Sequence, residues 1–451
     1  MTSSTVPFNQ QVPVRHEVDV LVVGGGPAGV AAAVAAARQG CSVYLAEAQN
    51  CFGGMGTAGL VPAFMQFSDG VRFLAAGIGE EVLDRLHQAG GTSPNYDPLR
   101  KADPQCVGIK VEAFKRIYDD MVSSAGVAFT FMTQLVGLQR EGAKVSAGIF
   151  AAKSGLFAVK ARCFVDATGD GDLCAWAGAP FERGDATGTT MPGTLCSLWA
   201  NVDWARQIRP DSRMLEKAFA DKVFTNEDLH LPGMFFVSPT IGGGNIGHTF
   251  GVDGTDERSL TEALLWGRKS LVEYERYYKE YLRDGFEKME LVTTGALLGL
   301  RETRRILGDY VLNVDDFRSR AVFDDEIGRY CYPVDIHPLS TDRKLHEKFL
   351  KEYHSDLKYG PGESYGIPFR CLLPRGLDNV LVAGRCLSSD RYIQGSIRVM
   401  PGCYITGQAA GVAAALAVKG DGQTRHVSVP ALQEKLAAMG AHLPNRAKTA
   451  T

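Results

Sequence analysis

The 451-residue sequence has little charge of either sign in excess, a net −3 from 48 basic and 51 acidic side chains. That balance excludes the basic footprint of a nucleic-acid-binding protein and gives no electrostatic pull toward an anionic membrane. The ten cysteines stand singly, at 41, 51, 106, 163, 174, 196, 331, 371, 386 and 403. With no Cys-x-x-Cys or other ligand spacing, iron–sulfur, zinc and disulfide-scaffold readings fall away, and no metal is expected. Internal repeats and low-complexity tracts are missing as well. The opening MTSSTVPFNQQVPVRHE lacks the basic start and apolar core of a secretory signal, so the expectation is a cytoplasmic protein. Residues 20–37 are strongly apolar, yet their glycines and charged flanks fit a buried strand–turn–helix and not a membrane span.

What is present is length and pattern. A chain of this size exceeds one simple core and suits two or three interwoven domains able to bury a large ligand. From Val18 the run VDVLVVGGGPAGVAAAVAAARQGCSVYLAEA reads as strand, glycine turn, alanine-rich helix and second strand. Neither strand alternates, which implies a parallel sheet buried on both faces. Helical periodicity follows at 77–89 and 110–125, then strands at 127–138, 145–152 and 156–161, and another in ARCFVDATG. The middle of the chain changes character, with a glycine run at 241–256 and a long amphipathic helix from Leu260 to about Arg283 capped by Asp256 or Ser259. The apolar strand signal returns at NVLVAGRC, followed by a small-residue helix that Gly420 stops and a tail helix over 430–439. The pattern is a nucleotide-binding domain split in sequence.

Three places match Gly-x-Gly-x-x-Gly: 24–29, 54–59 and 242–247. Among 51 glycines, about 0.6 such matches arise by chance, so context decides. Only the first follows a strand, opens a helix and has a carboxylate, Glu47, at the end of the next strand. Those are the needs of a dinucleotide: close approach to the pyrophosphate, a helix N-terminus aimed at it, and an acid for the ribose hydroxyls. After Gly247 comes HTFGVDGTD, where no helix can begin, so this copy reads as a loop carrying Asn245 and His248 toward a substrate.

The segments VVGGGPAGVAAA, GGMGTAGLV, VDATGDGDLCAWAGA, GLRETRRILGDYVL, AGRCLSS and GSIRVM…GQAAGVAAA, taken in this order, resemble FAD-dependent oxidoreductases of the glutathione-reductase and succinate-dehydrogenase flavoprotein superfamily. The resemblance runs from about residue 16 to 440. It implies an α/β fold, a Rossmann-like FAD-binding domain with an inserted α+β substrate (cap) domain. The FAD-binding parts are then 16–185, 291–312 and 376–440, and the inserted parts 186–290 and 313–375. It implies FAD as cofactor, with Gly24, Gly26, Pro27, Ala28 and Gly29 at the pyrophosphate and Glu47 and Ala48 at the ribose. Gly54, Met55, Gly56 and Thr57 would lie along the cofactor, and Leu135 against the adenine. Ala167, Thr168 and Gly169 would pass close by, with Gly384 and Arg385 beside the pyrophosphate and ribitol. Ser388, Ser389 or Asp390 would meet the ribitol, Ser389 being the choice. Arg398, just before the helix that starts near Pro401, would face the flavin pyrimidine edge, where a helix N-terminus stabilises negative charge.

The chemistry then needs a substrate pocket and a proton acceptor. His248 suits the acceptor and Asn245 an orienting role; one of the arginines of RETRRI, Arg301 being the choice, would clamp a carboxylate, unless they pair with acids such as Glu302, Asp309 or Asp315 to tie the domains together, and His337 is a further candidate. In a helical reading of that motif Arg301 and Arg305 share a face, with Arg304 on the adjoining one. Tyr332 and Tyr365 read as pocket walls, and Cys51 as a thiol approaching the flavin. The expected activity is hydride transfer between a small polar metabolite and the flavin, by dehydrogenation or the reverse. A flavin monooxygenase and a non-catalytic electron-relay flavoprotein stand as alternatives. The partners expected are a small-molecule substrate and an electron acceptor of unknown identity; a homo-oligomer is compatible with the sequence, a nucleic-acid or membrane partner is not expected.

Overall fold

In the computed structural model, which describes residues 5–207, 212–230, 233–353 and 355–446, the first apolar run forms a strand, Val14–Val23, whose last four residues are fully buried. It pairs in parallel with Val43–Ala46 on one side and Gly155–Asp166 on the other. Ala128–Thr130 extends the sheet in parallel beyond Val43–Ala46. The two strands expected around 156–166 are one continuous strand, Gly155–Asp166. Its first half pairs antiparallel with Lys144–Ala152, and its last three residues pair in parallel with Val380–Val382. Gln134–Glu141 completes seven strands. The return of residues 380–382 to this sheet is the split that the late apolar run predicts.

A second, antiparallel sheet has the order Met234–Ser238, Ile241–Gly244, Ser197–Ala200, Glu290–Thr294. Residues 291–294, expected to begin the return to the FAD-binding domain, are thus the outer strand of this sheet. The glycine run is also corrected, because Ile241–Gly244 is a strand and not a loop. A Cβ on Gly243 would stand 2.2 Å from Pro62 Cβ, and one on Gly242 2.3 Å from Met234 Sδ. Gly243 lets the sheet press onto Pro62, and Gly242 makes room for Met234 of the neighbouring strand; only from Asn245 onward does the chain loop. RETRRI is corrected too: Arg304–Ile306 is a strand paired with Phe181–Arg183. Extended backbone sends neighbouring arginines to opposite sides, Arg304 to the part-exposed Asp172 and Arg305 to the buried Glu302.

The helix Pro27–Arg38 and the late helix Met400–Lys419 pack against each other under the large sheet, both almost wholly buried. The late helix is long and apolar enough to cross a bilayer, but 94% of that stretch is buried within the fold. The two helices touch backbone to backbone: a Cβ on Gly407 would lie 2.2 Å from Ala28 O, and one on Gly411 2.1 Å from Ala32 O. Because 28 meets 407 and 32 meets 411, the helices run the same way and their N-termini face the same side. The late helix begins seven residues before Gly407, so its N-terminus reaches about 10 Å beyond that contact at 1.5 Å per residue.

The Gly407→Ala protein is therefore expected to lose about 1–3 kcal/mol of stability and, with the helices pushed apart, part of its FAD content. Chemical denaturation together with the ratio of flavin to protein absorbance checks both.

Candidate functional site

A cavity of about 610 Å³ runs along the C-terminal ends of the parallel strands, within the range of sites for large organic ligands. Its first part is built by the fingerprint. Gly24 has a φ of +94°, and a Cβ there would stand 2.5 Å from Ala167 O, so no side chain fits. A Cβ on Gly29 would overlap Gly24 O at 1.7 Å, which makes Gly29 a packing glycine; it does not border the cavity. Gly26 differs from both. A Cβ there would meet nothing within 4 Å, because Gly26 faces open space at the uncapped start of the helix Pro27–Arg38. The N–H groups of a helix start with no side-chain cap, facing a cradle with room for phosphate oxygens, suit a pyrophosphate. Glu47, 6% exposed, accepts the Gly25 N–H at 2.6 Å and the Gln49 N–H at 2.7 Å, which fixes its carboxylate at the far end of this cradle. Burial raises its pKa, and these backbone donors oppose the rise.

Pro27, Ala28, Ala48, Gly54, Met55, Leu135, Ala167, Thr168, Gly169, Gly384, Arg385 and Arg398 also border the cavity. Arg385 is fixed by Asp170 Oδ1 at 2.6 Å and by the carbonyls of Gly169 and Leu300. Arg398 reaches Asp335 Oδ2 at 3.1 Å, while Val399, Met400 and Cys403 bring the uncapped start of the late helix to the wall. Besides Gly29, six residues expected near the cofactor do not border it: Cys51, Gly56, Thr57, Ser388, Ser389 and Asp390. The Gly56 position is filled by Met400 and Phe114, and Thr57 donates to Phe52 O at 2.6 Å. Ser389 donates to Leu387 O at 3.3 Å, and Ser388 and Asp390 are also spent on structure, Asp390 as the N-cap of the helix Arg391–Ile397. Cys51 is buried against Thr57, off the cavity, and burial raises its thiol pKa.

Beyond the cradle the cavity opens into a polar chamber bordered by Thr194, His230, Asn245, Arg301, Asp335 and His337. Arg301 is 6% exposed. Its backbone carbonyl accepts Gln394 Nε2 at 2.7 Å, Nη1 donates to Pro192 O and Thr194 Oγ1, and Nη2 reaches Asn245 Oδ1 at 3.4 Å. Its Nε lies 3.1 Å from His337 Nε2. His337 Nδ1 is 2.9 Å from His248 Nε2, and His248 Nδ1 is 2.9 Å from Asp228 Oδ2, poorly aligned with a ring N–H. His337 Nε2 also lies 3.3 Å from Asp335 Oδ2; in the tautomer that pairs with Arg301, which has only donors, Nε2 accepts, Nδ1–H donates to His248, and the Nδ1–H of His248 faces the Asp228 carboxylate. His248 itself is 4% exposed and does not border the cavity. The expectation of direct contact between His248 and a substrate is therefore corrected: its place is one ring behind His337.

Burial keeps all three imidazoles neutral, lowering His230 to about 3 and His248 and His337 below their ordinary value. Asp228 is held near 2, its burial outweighed by the facing His248, and Asp335 is held well below the carboxylate range beside His337 and Arg398. Sequence reasoning missed Asp228, His230 and Asp335. A signal was there: the tripeptides Asp228-Leu229-His230 and Asp335-Ile336-His337 repeat one pattern and deliver both carboxylates and two of the three imidazoles.

A family model described as FAD dependent oxidoreductase matches residues 19–436. The chain belongs to this family. FAD is its cofactor and the protein is an oxidoreductase, and the cradle around Gly26 fits that group. No curated protein matches the sequence. Among solved structures this flavoenzyme is similar to a geranylgeranyl bacteriochlorophyll reductase-like protein from Thermoplasma acidophilum, at 15% identity over 94% of this chain and 83% of that one, with a TM-score of 0.46. It is also similar to p-nitrophenol 4-monooxygenase from Pseudomonas putida, at 11% identity over 94% and 84% of the two chains, with a TM-score of 0.45. A flavin-dependent brominase gives 12% identity over 94% and 84%, with a TM-score of 0.45. None of these likenesses bears on the reaction.

Two outcomes follow for the flavoenzyme. Gly26 has a φ of −69°, which alanine adopts freely, so Gly26→Ala is expected to leave apoprotein stability within about 0.5 kcal/mol while weakening FAD at least ten-fold; fluorescence titration of apoprotein with FAD measures the affinity. The neutral imidazoles contribute stability that is complete above the ordinary histidine pKa of about 6.5 and is lost as pH falls below it, toward the lowered values. The thermal midpoint should drop between about pH 6.5 and 4, and His230→Asn should shrink that drop.

Proposed function

We propose that this flavoenzyme moves a hydride between a small polar metabolite, hydroxylated or carboxylated, and the flavin, in dehydrogenation or its reverse. FAD supplies the two-electron chemistry when bound; the chain's own task is to hold the substrate and handle a proton. The observation that carries the reading is the line Arg301–His337–His248–Asp228, which starts at the chamber wall and ends on a buried carboxylate. Asn245 and Arg301 orient the substrate's oxygens, in the roles expected of them. A substrate hydroxyl that takes the place of the Arg301 Nε–H at His337 Nε2 gives its proton to that nitrogen, the Nδ1 proton moves to His248 Nε2, and the Nδ1 proton of His248 shifts to Asp228. Neutral imidazoles are what this needs, since a ring already protonated accepts nothing. His248 thus serves the proton without touching the substrate.

The test is anaerobic mixing of FAD-loaded protein with a panel of hydroxylated and carboxylated metabolites while the flavin absorbance is followed. Bleaching by such a metabolite alone is expected. His337→Gln should slow that bleaching about 100-fold or more at unchanged FAD content, and His248→Ala should slow it as well. Bleaching only by a reduced nicotinamide would replace this reading with a reductase or monooxygenase, and silence toward every small molecule would favour an electron relay.

A further inference from the structure

One charge of the chamber, Arg301, has no carboxylate in direct contact among the described residues, the Asp335 carboxylate on the same wall being paired with Arg398. Every other well-buried arginine at or near it has a carboxylate partner: Arg385 with Asp170 at 2.6 Å, Arg398 with Asp335 at 3.1 Å, Arg304 with Asp172 at 2.7 Å, and Arg305 with Glu302 at 2.5 Å. Arg301 has none within ion-pair distance among the described residues, although it is the one that borders the chamber beside His337. A guanidinium buried without an anion is costly, and structures retain such a group where a ligand completes it. Its remaining donor capacity is specific. Nε and Nη1 are spent on His337, Pro192 and Thr194, leaving Nη2, whose one partner among the described residues is Asn245 Oδ1 at a long 3.4 Å. The amide nitrogen of Asn245, on the same wall, donates to nothing among the described residues, so the wall presents two N–H donors side by side.

We infer that the chamber binds a carboxylate, one oxygen on Arg301 Nη2 and the other on Asn245 Nδ2, so that the substrate is an organic acid. Two neighbouring donors match the two oxygens of a planar carboxylate. A phosphate calls for more donors, and the backbone N–H groups that commonly supply them lie in the cradle at the other end of the cavity. The anchor sits next to His337 Nε2, so a carbon close to the carboxylate is the one presented for reaction. This rests on the hydride-transfer reading only for the word substrate; the anion site stands or falls separately.

The experiment titrates FAD-loaded protein with acetate, succinate and benzoate, and with the matched neutral acetamide, succinamide and benzamide, following flavin absorbance and heat of binding. At least one carboxylate is expected to bind ten-fold or more tighter than its amide. Arg301→Met should weaken that acid about 30-fold or more, Arg301→Lys should recover part of the loss, and the amides should be indifferent to both. Asn245→Leu, which leaves the buried guanidinium in place, gives a second readout in the same direction if the arginine variants fold poorly. Equal affinity for acids and amides, no binding of any acid by either readout, inorganic phosphate binding in their place, or acid binding untouched by Arg301→Met and Asn245→Leu would each overturn the inference. Protein that binds carboxylates this way, yet whose flavin no acid or alcohol bleaches, would instead sink the hydride-transfer reading and leave the anion site intact.

Discussion

The close contact between the first and late helices sets the geometry on which the rest depends. Gly407 and Gly411 bring one backbone against Ala28 and Ala32 of the other, with no room for a Cβ between them. Parallel helices in such contact place two positive ends at one cavity, each equivalent to roughly half an elementary charge. The stagger separates the jobs of these ends. The first meets the cradle at Gly26, and the second, two turns further on, reaches the wall at Val399–Cys403. A long anionic cofactor with a ring at one end and phosphates in its middle needs positive potential at two separated places, and this pair of helices provides it from backbone alone.

The alanine-rich composition of both helices follows from the same contact. Ala28 and Ala32 expose their carbonyls to Gly407 and Gly411, and larger side chains would hold the helices apart by the usual 8–10 Å. Gly384 closes the gap from the third side, where a Cβ would lie 2.9 Å from Ala28 Cβ. Small residues here serve nearness of charge to ligand as much as packing.

That part of the molecule was open to reading from sequence because it is contiguous. Strand, glycine turn, helix, strand and Glu47 lie within about thirty residues, and each has its own local pattern. The glycine run at 242–247 was harder, since a missing Cβ serves a tight turn, a ligand or a neighbouring chain equally well, and nothing local reveals that Pro62 and Met234 press on it. RETRRI misled for a related reason: three arginines in six residues suit a helix face, but the strand Phe181–Arg183 that pairs with them lies more than a hundred residues earlier. In the chamber, Asn245, Arg301 and His337 could be named from chemistry alone. Their order from solvent to core could not, because it depends on how segments 228–230, 245–248, 301 and 335–337 meet in space.

The electrostatics of that meeting explain why histidines, and not carboxylates, stand beside Arg301. A carboxylate in the place of His337 would neutralise the guanidinium and remove its demand for an external anion. A protonated imidazole would add a second positive charge 3.1 Å from the first. A neutral ring does neither, and it can still accept a proton. Asp335 Oδ2 lies 3.3 Å from His337 Nε2 and Asp228 stands behind His248, each near enough to stabilise a passing positive charge and neither within ion-pair distance of Arg301 among the described residues. The chamber keeps one unpaired cation and one ready proton acceptor side by side, and an organic acid losing a hydride calls on both at once.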